Sequence, residues 1–294
     1  MHIEVYTRTF LGLPDEQATY AKSKAVILPV PYEGTVSYGV GTSKAPEAII
    51  EASSYLEPWE PRLSLDYFSL HVATLAPMSI STASPKQAVE EVKAAVGKLL
   101  DDGKWVAMVG GEHSITPGAV AAHKGVHEDF AVLQIDAHAD LRQEYEGTEH
   151  SHACAMRRVR DLGIPVVAVG IRSITKEEHE EVKEKGWPIF WAWQLVGDWI
   201  DQVLAQLPQK VYLSFDVDGL CPSIMPGTGT PEPGGMTWEQ TFNLIERLCT
   251  TKDVIGFDLV EVSPIAASNI SEFTAAKLAA MVIGLSERKA GRAD

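Results

Sequence analysis

The chain has 294 residues, 45% hydrophobic and 22% charged, the proportions of a folded globular protein with enough length for a sizeable core. Twenty-five Lys and Arg against forty Asp and Glu give a net charge of −15, which disfavours nucleic acid or an anionic membrane as partner and suits a small cationic one. No run of about 18 apolar residues occurs, and three cysteines without a CxxC pair disfavour both a disulfide framework and a structural zinc site.

The opening segment, MHIEVYTRTFLGLPDEQ, is interrupted by charges and lacks the apolar stretch of a secretory signal, so a cytoplasmic location is expected. Short apolar runs then alternate with helical patterns: KAVILPVPY with APEAIIEAS, KWVAMVG with ITPGAVAAH, FAVLQIDAH with SHACAMRRVRDL, and PVVAVGI with TKEEHEEVKEK. The order resumes with KVYLSFDVD, TWEQTFNLIERLC, VIGFDLVEVSP and SEFTAAKLAAMVIGLSE. Such alternation predicts a mostly parallel sheet flanked by helices, and strands apolar on both alternations predict burial on both faces. A further surface helix is expected over residues 87–103, where Val89, Val92, Ala95, Val96 and Leu99 form one stripe and Gly103 supplies a left-handed cap. No repeat or flexible linker divides the chain, so a single domain over 1–294 is expected. The Gly/Pro cluster at 222–236 reads as a rigid loop walling a site, because it follows a strand directly.

Three strand ends carry metal-type ligands: His113 in GGEHS, Asp136, His138 and Asp140 in DAHAD, and Asp216 and Asp218 in SFDVDG. Alternate positions of a strand share a face, so each group points one way if strand conformation persists through Asp140. Four carboxylates brought together would repel unless cations intervene. Their −4 charge balances two divalent ions, and two neutral imidazoles complete an oxygen-rich set that suits Mn²⁺ better than thiolate-bound zinc. Two such ions can share a water and lower its pKa, the apparatus of a hydrolase.

Together GGEHS, DAHAD, SFDVDGLCPSIMPGTGTPEPGG and GFDLVEVSP resemble the ureohydrolase (arginase and agmatinase) family, on the agmatinase side, and the likeness extends from PVPYEGTVSYGVGTSKAPEAI to Glu261 and beyond. The resemblance implies a three-layer α/β/α sandwich, two Mn²⁺ per chain and hydrolysis of a guanidino compound to urea and an amine. It implies that Asp136 and Asp216 bridge both ions, His113 and Asp140 complete one shell, and His138 and Asp218 the other. Glu261 matches the acid that receives the guanidinium, a task suited to a carboxylate because its two oxygens match the planar N–H fork. His152 matches the histidine that passes a proton to the departing amine, although the chain reads Ser151-His152-Ala153-Cys154-Ala155 where many agmatinases read S-H-G-T-P, and His150 competes for the role. Agmatine, giving putrescine in polyamine metabolism, is the leading substrate; N1-aminopropylagmatine, guanidinobutyrate and arginine are rivals. Glu144, Glu146 and Glu178 are candidates for a distal ammonium. A homo-oligomer, trimer or hexamer, is also implied. Trp191 and Trp193 are read as core or interface aromatics, and Cys154 as a buried thiol. A metallophosphoesterase is disfavoured because its G-D-x-H and G-N-H-D/E segments are missing, and a non-catalytic metal-binding protein because Glu261 and His152 are both in place.

Overall fold

The computed structural model describes residues 4–6 and 8–291, so part of the opening segment read above for a signal lies outside the described residues. Eight strands form one sheet: β1 (Ala25–Val30), β4 (Val72–Thr74), β5 (Trp105–Gly110), β6 (Phe130–Ile135), β7 (Val166–Ile171), β8 (Ile189–Trp191), β9 (Lys210–Asp216) and β10 (Asp253–Val260). Their order is β4-β1-β5-β10-β9-β6-β7-β8, and every pairing is parallel. A separate two-stranded antiparallel pair, β2 (Trp59–Glu60) and β3 (Leu65–Asp66), sits apart from it.

β1, β6 and β7 are buried at every residue, as double-sided coverage requires. One face packs on α1 (Ala45–Ser53), α6 (Trp199–Ala205), α7 (Trp238–Thr251) and α8 (Ile270–Lys289), through residues such as Ile49, Val203, Leu244 and Ile283. The other packs on α2 (Pro85–Asp101), α3 (Thr116–Lys124), α4 (Ala155–Asp161) and α5 (Lys176–Lys185), through Val92, Val120, Val159 and Val182. The result is the expected three-layer α/β/α sandwich.

Local chemistry sets the boundaries. α2 has its stripe of Val89, Val92, Ala95, Val96 and Leu99 buried and is followed by Gly103 at φ 71°. Thr175 with Glu178, and Thr237 with Gln240, form reciprocal capping boxes at the starts of α5 and α7. Pro29 stands in β1 at no cost to the sheet. Its carbonyl faces the β4 side, accepting from Met78 N–H at 2.9 Å, so its missing donor also faces that side, beyond Thr74 where β4 has ended. No helix among the described residues is long and apolar enough to cross a membrane.

After β5 the chain leaves a gap in the sheet before β6, and β10 and β9 fill it later. A crevice outside the carboxyl ends of strands forms where the winding direction changes in this way.

Candidate metal centre and active site

All six expected ligands, together with Glu261, lie at or just beyond the carboxyl ends of four adjacent strands, β5, β10, β9 and β6. They are not placed there by strand spacing. β6 ends at Ile135, before Asp136, and Asp140 adopts φ 53°; only Asp216 lies within its strand, and Asp218 and His113 stand in short 3₁₀ turns. The expectation of strand conformation through Asp140 is therefore not met. The loops converge because their backbones are tied to each other and to the carboxylates. Asp136 Oδ1 accepts the His138 N–H at 2.6 Å, Asp216 Oδ1 the Asp218 N–H at 2.9 Å, and Asp218 Oδ1 the Ala137 N–H at 2.9 Å. Gly111, between β5 and His113, admits no side chain, since a Cβ there would lie 1.9 Å from the Tyr32 carbonyl oxygen.

His113 Nδ1 faces Asp140 Oδ2 at 3.0 Å, Asp136 Oδ2 at 3.2 Å and Asp216 Oδ2 at 3.3 Å, yet it is buried and its angles satisfy a hydrogen bond to none of them. Its other nitrogen lies 2.9 Å from Ser214 Oγ, and that hydroxyl donates its hydrogen to Asp258 Oδ1 at 2.8 Å. Ser214 can then only accept from the ring, so Nε2 carries the proton and the Nδ1 lone pair points among the three carboxylates. An imidazole lone pair and three carboxylate oxygens aimed at a common point are the donor set of a hard-to-borderline divalent cation, and the residues fit one. Two groups are arranged to hold an ion, His113 with Asp136 and Asp140, and Asp136 with His138 and Asp218. Asp136 belongs to both, as a bridging carboxylate must, while Asp216 lies beside the first group.

Electrostatics point the same way. Burial, then the charges of Asp140 and Asp218, push the Asp136 carboxyl up to about 7. Burial, then Asp218 and Asp136, push Asp216 well above the ordinary range. Burial alone would lower His138, but its contact with Asp218 at 2.9 Å and the neighbouring carboxylates push it up to about 10. The cluster attracts positive charge.

Glu261 follows β10 at φ 68°, a strained angle for a residue with a side chain, and its N–H donates to Gly111 O at 2.8 Å. That backbone turn sends Oε1 to the His113 N–H at 2.6 Å. The carboxyl is 7% exposed, and burial followed by the charge of Glu112 pushes its pKa well above the ordinary value. A cation entering beside it would ionise it.

These residues line a cavity of about 280 Å³ that also takes in His152, Tyr145 and Thr230. His150 is not among the residues lining it; its Nε2 lies 3.6 Å from Glu149. Of the three acids considered for a distal ammonium, only Glu178 lines this cavity, and its oxygens already accept from Leu141 N–H and Thr175 N–H, both at 2.9 Å. Glu144 lines an adjoining groove, and Glu146 lines neither. Trp191 stacks on Trp193 at 5.2 Å, outside both. Cys154 is buried, and burial raises its thiol to about 11, in keeping with an inert role.

The sequence alone did not single out Ser214, Asp258 or Arg172. The Arg172 guanidinium donates to six carbonyls, those of Gly170, Asp218, Gly219, Leu220, Glu232 and Pro233, and so pins the Asp218 turn to the Gly/Pro loop. Ser214 shares the SFDVDG motif with the candidate ligands Asp216 and Asp218, and Asp258 the GFDLVEVSP motif with Glu261, but only the side-by-side placement of β9 and β10 makes them one chain of hydrogen bonds.

Comparison with known proteins agrees with this geometry. An N(1)-aminopropylagmatine ureohydrolase of Synechocystis sp. is 44% identical over 275 residues, covering 90% of each chain, and an agmatinase of Pyrococcus horikoshii is 36% identical, covering 90% of this chain and 92% of its own. The crystal structure of agmatine ureohydrolase of Thermoplasma volcanium superposes with a TM-score of 0.87 at 32% identity, covering 97% of this chain and 96% of that one. Residues 23–284 match the sequence model of the Arginase family, and with relatives this similar over nine-tenths of its length the chain belongs to that family, as an agmatinase-like ureohydrolase.

Proposed function

We propose that the protein hydrolyses N1-aminopropylagmatine, releasing urea and the corresponding amine, in place of the agmatine that the motifs alone favour. The observation that carries the choice is the 44% identity to the Synechocystis sp. protein of that name, against 36% to the Pyrococcus horikoshii agmatinase over similar lengths. The cavity supports a longer substrate. It shares Arg142, Thr175 and Glu178 with the adjoining groove, where Glu144 and Glu177 add negative charge along the path of an extended polyamine tail while Glu181 is paired with Arg157.

In this reading His113, Asp136, His138, Asp140, Asp216 and Asp218 would hold two divalent ions. Manganese suits the oxygen-rich donors. When bound, the ions supply an activated water for attack on the guanidinium carbon. Glu261 binds the guanidinium through paired N–H contacts and sets its carbon over the cluster. His152, on the cavity wall, gives the leaving amine its proton, and water supplies the oxygen of urea; His150 does not line that cavity. Collapse breaks the bond between the guanidinium carbon and the alkyl-bearing nitrogen.

The test is urea release by the Mn²⁺-loaded protein over N1-aminopropylagmatine, agmatine, guanidinobutyrate and arginine. We expect kcat/KM for N1-aminopropylagmatine to exceed that for agmatine by about tenfold or more, the worth of one additional charged contact. The reverse order would make agmatine the substrate, and phosphate release from an ester without any urea would place the chemistry elsewhere.

A further inference from the structure

The loop after β1 brings Thr35 and Ser37 against His152, and a buried acid beneath Thr35 gives that contact a direction. Glu112 is fully buried. Its Oε2 accepts the backbone N–H groups of Gly34 at 2.8 Å and Thr35 at 2.7 Å, and its Oε1 accepts the Thr35 hydroxyl at 2.6 Å and the Ser114 hydroxyl. With two backbone donors fixing one oxygen, the carboxylate cannot turn away. The single hydrogen of Thr35 Oγ1 is committed to it.

Thr35 Oγ1 can therefore only accept from His152, which it meets twice, at the backbone N–H at 3.0 Å and at ring Nδ1 at 3.3 Å. Ser151 Oγ lies 3.4 Å from the same nitrogen and can accept as well, so a hydrogen on Nδ1 satisfies both hydroxyls, whereas a bare Nδ1 would face the Thr35 lone pairs. Neutral His152 then has its lone pair on Nε2, the nitrogen that lies 3.4 Å from Ser37 Oγ on the cavity wall. Protonated His152 carries on Nε2 the hydrogen it can give away.

The geometry points to Thr35, held by Glu112, as a positioning residue that fixes the His152 tautomer and makes Nε2 the atom that delivers the proton to the leaving amine. The inference rests on His152 being that donor. Like the Ser214 hydroxyl beneath His113, Thr35 acts through the direction of one hydroxyl hydrogen, here set by a glutamate from a different strand end. Side chains that orient an imidazole in this way set which nitrogen reacts, a role separate from the pKa of the ring.

The experiment is a double-mutant cycle on the Mn²⁺-loaded full chain, with urea release from the best guanidino substrate as readout. Thr35→Val keeps the shape and removes the hydroxyl; it should lower kcat about tenfold with KM within about twofold, since it disturbs only a proton donor acting in the transition state. Thr35→Ser should restore kcat. In the His152→Ala background Thr35→Val should cost nothing further, and, with diamagnetic Mg²⁺ in place of Mn²⁺, ¹⁵N spectra of the ring should show the Nδ1–H tautomer in the parent and a mixture in Thr35→Val. A kcat loss of equal size in the His152→Ala background, a raised KM at unchanged kcat, or an unaltered tautomer would overturn the positioning role. If His152→Ala itself keeps its kcat, the proton-donor reading falls instead, so the two failures are told apart.

Discussion

Glu261 sits in a left-handed backbone conformation, is nearly buried, and reaches across to the N–H that opens the His113 turn. A carboxyl with its pKa pushed up by burial is poorly ionised alone and becomes a strong partner once a cation supplies the counter-charge, so under the proposed function it would favour a cationic substrate. Glu261→Gln keeps the shape and loses that response. It should lower kcat/KM about a hundredfold or more, the usual cost of breaking a desolvated charge pair, while bound metal per chain stays at the parent value. Urea assays beside elemental analysis decide it, and normal turnover in the variant would move the guanidinium to another residue. Glu261 and the six candidate ligands could be picked out in the sequence because each stands in a contiguous motif whose residue types already suggest the chemistry. Ser214, Asp258, Thr35 and Glu112 were not. Their importance lies in which hydroxyl gives its hydrogen to which carboxylate, and those partners are 44 and 77 residues apart.

The alternation of apolar runs and helical patterns was enough to place the long strands, since five or more buried residues in a row leave little else for them to be. It missed β4 and β8, three residues each at the sheet edges, because so few residues carry no periodicity, and it also missed α6. The same limit hid the turns that carry the ligands. What orders the Asp218 turn is Arg172, following β7, whose fork spans the turn and the Gly/Pro loop and so joins two segments that share no sheet pairing with it. Burial lowers the Arg172 pKa against the pull of Asp218, but a guanidinium stays charged, and the carbonyl dipoles around it replace its water. Arg172→Met keeps the stem and leaves those carbonyls without a donor. Unfolding should become easier by about 2–4 kcal/mol, seen as a lower denaturation midpoint at constant slope, with metal affinity falling too. An unchanged midpoint would mean that water replaces the guanidinium at no cost.

Among the described residues, eleven buried acids against one buried arginine carry most of the chain's formal excess negative charge, and a concentrated share of them lies at one end of the sheet, where it couples stability to pH and to cations. Without ions the Asp136 carboxyl, raised to about 7, gives stability that is complete below its ordinary 3.8 and is lost as pH climbs through about 7. His138, raised to about 10, gives stability that is complete below 6.5 and is lost as pH climbs through about 10. Asp218, held near 2 by its His138 contact although burial opposes this, titrates below that window and does not offset them. The metal-free chain should therefore weaken steadily between pH 5 and pH 9, flanking the value of about 7 for Asp136. Divalent ions act in the opposite direction. They bind the deprotonated groups and displace protons, so each proton released strengthens binding by about tenfold per pH unit until its group is fully ionised. Ligand bound only by the folded state adds its binding free energy to stability. The gain in melting temperature on adding Mn²⁺ to chelator-treated protein should thus be small at pH 6 and clearly larger at pH 8.5, on either side of that same value. A gain that is flat or shrinks across this range, measured at fixed free Mn²⁺, would show that the buried aspartates are not what the ions bind.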